Sequence, residues 1–122
     1  MTYLFVYGTL KSTFRNKFAR RLAKEATLLG PARMQGRLYR IRWYPGLRPS
    51  QQSTDWVTGE LYRLRMPLRT LPALDAYEDK QYRRVRREAF LPNGEILHCW
   101  VYLYSAPLSE YRRIPSEKWD ML

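Results

Sequence analysis

The run Tyr3-Leu4-Phe5-Val6-Tyr7-Gly8-Thr9-Leu10 decides how the rest of the chain is read. Residues 3–7 are apolar on both alternating faces, the pattern of a strand buried on both sides rather than one facing water. Gly8 ends the run, and a loop follows through Thr13. Glycine accepts backbone angles that other residues resist, and successive amides in such a loop can line a concave anion or carbonyl site. A plain turn after a strand accounts for the same residues equally simply.

Outward from this strand, residues 16–26 read as a basic amphipathic helix, with Phe18, Leu22 and Ala26 at helical spacing and Asn16 as N-cap. Residues 33–41 read as a second strand, followed by Tyr44-Pro45-Gly46-Leu47 as a rigid turn. Residues 50–55 form a polar loop and 57–64 a third strand. Residues 66–77 read as a helix with Leu68, Leu71 and Leu74 on its apolar face and Pro67 in its first turn. Two strand-like runs, 82–91 and 95–104, flank Pro92-Asn93-Gly94, and Asn-Gly between such runs signals a hairpin. In the second run Leu97, Cys99, Val101 and Leu103 share one face; His98, Trp100, Tyr102 and Tyr104 share the other. The last residues, from Ser105 on, are expected to wrap the surface. The sum is one α+β domain over residues 1–122, a small, mixed, mainly antiparallel β-barrel with flanking helices.

Composition bounds the function. Apolar residues make up 45% of 122 residues, enough for a packed core. No apolar run reaches the ~20 residues of a membrane-spanning helix. The chain opens on a strand rather than a basic segment, and it has one cysteine, so a cytoplasmic setting without an intrachain disulfide is expected. The net charge of +11 favours anionic partners. The arginines are spread through 33–42, 63–69 and 83–87 with no nucleic-acid motif around them, which argues against nucleic acid as the main partner. No metal-ligand spacing and no Gly-rich phosphate loop occurs. His98 and Cys99 point to opposite faces of one strand and form no nucleophile–base pair.

Glu78 follows Leu74 by four residues and Leu71 by seven, on the face that enters the core. A carboxylate there is desolvated, the environment of a general base or acid tuned toward neutral pH. A helix-end carboxylate that escapes to water, or pairs with an arginine, accounts for the same pattern. Asp75, three residues earlier, is the nearest competitor. Tyr82, at the start of the next strand, is available to bind a substrate, to orient Glu78, or simply to pack.

In order and spacing these motifs resemble the γ-glutamylcyclotransferase-like family. That family opens on a strand and Tyr-Gly-Thr-Leu, here Tyr7-Gly8-Thr9-Leu10, with Asn16 where an asparagine is common. A Tyr-Pro-Gly turn follows (Tyr44-Pro45-Gly46), then Gly59-Glu60-Leu61-Tyr62. Next comes Leu-Asp-x-x-Glu, here Leu74-Asp75-Ala76-Tyr77-Glu78, and Tyr82-Arg83-Arg84. The resemblance implies the family's fold and Glu78 as catalytic acid/base. It implies Tyr7, Gly8, Thr9, Leu10, Tyr44, Gly46 and Tyr82 around a small-molecule γ-glutamyl substrate. It implies ring closure of the γ-glutamyl group to 5-oxoproline with release of an amine or amino acid, with no metal or organic cofactor. A non-enzymatic protein on the same fold, binding an anionic metabolite or a polyanion, is the alternative. The chain departs from the family at Asp79, where glycine is common after the acid. It has Ser116-Glu117-Lys118-Trp119 in place of Ser-Gly-x-Trp, and Ser12 or Thr13 at a loop glycine.

Overall fold

The computed structural model describes residues 1–7, 17–41, 44–78, 80–108 and 113–114. Gly8, Thr9, Leu10, Ser12, Thr13, Asn16, Asp79, the Phe18 side chain and residues 115–122 lie outside what it describes. The chain order is β1 (Thr2–Val6), α1 (Lys17–Glu25), β2 (Ala26–Gln35), β3 (Arg37–Arg40), β4 (Pro45–Arg48), β5 (Trp56–Leu64), α2 (Pro67–Tyr77), β6 (Tyr82–Phe90), β7 (Ile96–Tyr104) and β8 (Arg113–Ile114). Five strands close a barrel in the order β1-β5-β2-β6-β7, and β4-β3-β8 form a second sheet. Only the β1–β7 pairing is parallel among the barrel's ladders, so the expected mixed, mainly antiparallel barrel with flanking helices is what forms.

β1 feeds two cores, which is why both of its faces are apolar. Phe5 points inward and packs with Val57, Leu61, Ala89, Cys99 and Val101 inside the barrel. Leu4 and Val6 point outward and meet Leu22 of α1, Leu71 and Leu74 of α2, and Tyr62 and Tyr102. Both helices therefore lie over one flank of the barrel. The Phe5 ring needs space in β5: a Cβ on Gly59 would strike the Val6 carbonyl oxygen and come within 2.7 Å of Phe5 Cζ. The Glu25 carboxylate, at the end of α1, ties the helices together. It accepts hydrogen bonds from the Thr70 hydroxyl at 2.6 Å and Arg21 Nη1 at 2.8 Å.

Three expectations about elements are corrected. The strand expected over 33–41 is two strands: β2 begins directly after α1 and β3 follows Gly36. Pro45-Gly46 is not the turn; the Ile41 amide bonds to the Tyr44 carbonyl at 3.1 Å, and Pro45 opens β4 opposite Arg40. Proline is tolerated as the first residue of a strand. Leu68 is 94% exposed, while Thr70, Leu71 and Leu74 are buried. Six residues of α-helix turn through about 600°, so Leu68 lies about 120° from Leu74 and off the buried face.

The hairpin reads as expected. β6 and β7 pair from Tyr82 opposite Tyr104 to Phe90 opposite Ile96. The Leu91 amide bonds to the Glu95 carbonyl at 2.9 Å, and Asn93 Oδ1 accepts from the Glu95 amide at 2.9 Å. Leu97, Cys99, Val101 and Leu103 face the barrel interior, and Trp100 and Tyr102 the helix layer. Of the tail, β8 pairs with β3 and buries Ile114.

Among the described residues no helix is long and apolar enough to cross a membrane.

Candidate functional site

Five chain segments converge at one mouth of the barrel. They are the residue after β1 (Tyr7), the start of β4 (Tyr44, Pro45, Gly46), the end of α2 (Asp75, Glu78), the start of β6 (Tyr82) and the end of β7 (Tyr102, Tyr104). Of the residues the sequence singled out, Tyr7, Tyr44, Gly46, Glu78 and Tyr82 meet here.

Glu78 is half-buried and stands where α2 stops. Its amide still bonds to the Leu74 carbonyl at 3.0 Å, but its own backbone is extended, with φ −72° and ψ 145°. The chain therefore leaves the helix at Glu78, near the cluster of tyrosines. Burial pushes the hydroxyl pKa values of Tyr7, Tyr82 and Tyr102 above the ordinary tyrosine value, and the negative charge of Glu78 raises each further. The Glu78 carboxylate thus lies within electrostatic reach of three hydroxyls that stay protonated at neutral pH.

Those hydroxyls already have partners. Tyr7 donates to the Tyr102 carbonyl and accepts from the Leu47 amide at 3.1 Å, so it pins β1 to β7 and β4. Tyr82 donates to the Pro45 carbonyl at 2.7 Å. Its ring stands edge-on to Tyr104 at 5.3 Å and tilted to Tyr44 at 6.3 Å. Gly46 is fixed by the same packing: a Cβ there would lie 2.7 Å from Tyr104 Cβ. Tyr7 and Gly46 therefore shape the mouth from behind, and Tyr82 and Tyr44 form its wall.

The two carboxylates of α2 have different surroundings. Asp75 receives both Arg84 Nε at 2.8 Å and Arg84 Nη2 at 3.0 Å, and the Tyr102 hydroxyl at 2.6 Å. Partial burial pushes the Asp75 pKa up, but the Arg84 and Tyr102 hydrogen bonds outweigh it and hold the group below the usual carboxylate range. Asp75 is a charged, bidentate partner of an arginine, a poor proton acceptor. The Arg84 guanidinium also lies 4.5 Å from the Trp100 ring centre. No local sequence rule links positions 75 and 84; the pair forms because β6 returns past the end of α2.

A second carboxylate cluster lies behind β3. Asp55, 5% exposed, accepts from Arg37 Nε at 2.6 Å, Ser50 Oγ at 2.7 Å and Arg113 Nη2 at 2.8 Å. Sequence reading placed it in a polar loop and missed it. Three donors to one carboxylate, one of them from β8, make it a fastening for the tail. His98 is exposed near Glu88, and the buried Cys99 thiol donates to the Arg87 carbonyl at 3.4 Å, so the two stay apart as the alternation required.

Residues 4–121 match the family described as Gamma-glutamyl cyclotransferase, AIG2-like. A solved AIG2-like protein from Mus musculus is 26% identical, with a TM-score of 0.74 over 91% of this chain and 82% of that one. The ytfP protein from Escherichia coli is 29% identical, with a TM-score of 0.64 over 94% of this chain and 93% of that one. A structure titled Gamma-glutamyl cyclotransferase shares the fold at 18% identity, with a TM-score of 0.64 over 97% of this chain and 73% of that one. No curated protein matches the chain.

Proposed function

The chain belongs to the gamma-glutamyl cyclotransferase, AIG2-like family, and on that premise we propose that it is a γ-glutamylcyclotransferase in which Glu78 moves the protons. The observation that carries this reading is the half-buried Glu78 carboxylate, within electrostatic reach of the Tyr7, Tyr82 and Tyr102 hydroxyls while its neighbour Asp75 is held by Arg84.

The reaction is an intramolecular aminolysis. The α-amine nitrogen of the γ-glutamyl group attacks the γ-carbonyl carbon and forms the new C–N bond of a five-membered lactam. Glu78 takes the proton that this nitrogen loses. The old amide C–N bond breaks, and protonated Glu78 returns the proton to the departing nitrogen. The products are 5-oxoproline and a free amine or amino acid, and Glu78 ends ionised as it began. Nucleophile and carbonyl sit in one molecule, so the protein supplies orientation and proton transfer rather than encounter. The backbone groups of Gly8, Thr9 and Leu10, outside the described residues, would hold the γ-glutamyl group, with Tyr44 and Tyr82 walling it.

The test is release of 5-oxoproline from a panel of γ-glutamyl amino acids, γ-glutamyl amines and γ-glutamyl peptides, with Glu78→Gln beside the wild type. Turnover that disappears in the variant supports the reading. Undiminished turnover in Glu78→Gln removes Glu78 from the chemistry. A folded wild type that turns over nothing in the panel, yet binds one of its members, makes the chain a binding protein on this fold.

A further inference from the structure

We propose that Asp75 and Arg84 form a positioning pair that sets the direction and the proton affinity of Glu78. The inference rests on Glu78 being the proton-transfer group and adds to it the residues that keep it in place.

α2 has little of its own to fix where it ends. Its N-terminus at Met66 lacks a side-chain cap, its last turn carries no basic residue, and Pro72 interrupts its interior. An interior proline removes one amide donor and strains the preceding turn. The end of the helix is held from outside, by the buried Leu74 and by Asp75. One turn before Glu78, Asp75 takes the planar fork of Arg84 from β6 and the hydroxyl of Tyr102 from β7. A fork of this kind restrains orientation as well as distance. Arg84 is itself braced against Trp100. The Tyr102 carbonyl takes the Tyr7 hydroxyl, so the clamp continues through β7 to β1. Glu78 follows three residues later, so the clamp fixes the point at which its backbone leaves the helix.

The pair also sets charge. Asp75 lies in the last turn of α2 and Glu78 is the residue at which that helix ends. Asp75 and Arg84 together present Glu78 with nearly no net charge; either one alone would not. Among the described residues the hydroxyls of Tyr7 from β1, Tyr82 from β6 and Tyr102 from β7, all neutral near pH 7, also lie within electrostatic reach of Glu78.

Opposite substitutions therefore have opposite effects on the acid limb of kcat/KM against pH. Asp75→Asn leaves Arg84 unneutralised, favours ionised Glu78, and moves the limb to lower pH. Arg84→Met keeps the stem on Trp100 but leaves Asp75 unneutralised, disfavours ionised Glu78, and moves the limb to higher pH. Each shift is expected to be about half a pH unit or more. Each variant also loses roughly tenfold or more in kcat, because a misaimed proton acceptor is costly. The double variant Asp75→Asn/Arg84→Met returns the limb to near its wild-type position while kcat stays low.

The experiment measures these profiles on the γ-glutamyl substrate that the wild type turns over. Near-ultraviolet circular dichroism at each pH establishes that each variant is folded. Opposite shifts with return in the double variant support the proposal. Limbs that do not move, or that move the same way in both single variants, overturn it, whether or not kcat falls. Should Asp75→Asn not fold, Arg84→Met against Arg84→Lys decides: the lysine variant, which keeps the charge, must hold the limb where the methionine variant does not. Undiminished turnover in Glu78→Gln is a separate result that refutes the premise rather than the clamp.

Discussion

The Tyr82 hydroxyl donates to the carbonyl oxygen of Pro45 at 2.7 Å, joining the first residue of β6 to the first residue of β4. That bond holds the barrel and the second sheet together at the mouth, with the Tyr82 ring packed between Tyr44 and Tyr104. Tyr82→Phe keeps the ring and removes the bond. A loss of about 1 kcal/mol in unfolding free energy is expected. KM for a γ-glutamyl substrate should rise more than kcat falls, because the wall loosens while Glu78 is untouched. A fall in kcat alone would give Tyr82 a part in the chemistry.

Tyr7 is bonded on both sides of its hydroxyl, to the Tyr102 carbonyl and the Leu47 amide. Tyr7→Phe leaves a buried acceptor and a buried donor unpaired. Denaturant unfolding should show a loss of about 2 kcal/mol or more, with turnover by the folded fraction within a few-fold of wild type. A variant of full stability and no activity would instead make Tyr7 a substrate contact.

Asp55 gives the fold an acid limit. The Arg37 and Ser50 hydrogen bonds, set against burial and helped by the charges of Arg37 and Arg113, hold its carboxyl at about 2 against an ordinary 3.8. The folded pKa is the lower one, so this stabilisation is complete above the ordinary carboxylate range and is lost as pH falls from about 4 through 2. Asp55→Asn should be less stable than wild type at pH 7, and the gap between them should close as both are titrated toward pH 2. A gap independent of pH would mean the ionised form is not what matters.

Cys99 offers a probe of the folded state. Burial pushes its thiol up to about 12, outweighing the Arg86 charge and the Phe5 backbone hydrogen bond that pull it down. Thiolate is the reactive form. A thiol-specific reagent at pH 8 should leave the native protein unlabelled and label the unfolded chain fully. Fast labelling of native protein would mean that β7 opens readily.

What the sequence made legible was periodic or punctuated. The two-faced run at β1, the alternation along β7 and the Asn93-Gly94 hairpin were all readable, because side-chain direction follows from spacing alone. The strand β2 was not. Gly30-Pro31 looks like punctuation, yet it lies inside β2, with a register shift between Leu28 and Gly30 and Gly30 at φ 123°. Pro31 is tolerated because β2 meets β6 in register at Arg33 opposite Phe90, leaving Pro31 on what is nearly a sheet edge. The grouping of Tyr44, Gly46 and Glu78 was suggested by resemblance; spacing alone left Glu78 open between a buried acid and a surface one. The Asp75–Arg84 pair, nine residues apart, and the Asp55 cluster depend on which segments meet in space, and no periodicity of the sequence pairs them.

The barrel closes unevenly. β6 and β7 match each other over nine positions, yet this hairpin joins its neighbours in register at Leu4 opposite Trp100 on one side and Arg33 opposite Phe90 on the other. Side-chain packing and the Tyr7 hydroxyl bond to the Tyr102 carbonyl fill what these short ladders leave. Amides inside the hairpin are expected to be protected from exchange together, and those along its two seams to be released first. Tyr82, Tyr102 and Tyr104 belong to this hairpin, and Glu78 to the end of α2. The fork from Arg84 to Asp75 ties this hairpin across to α2, so the tyrosine wall of the mouth and the helix that ends at Glu78 are fastened to one another.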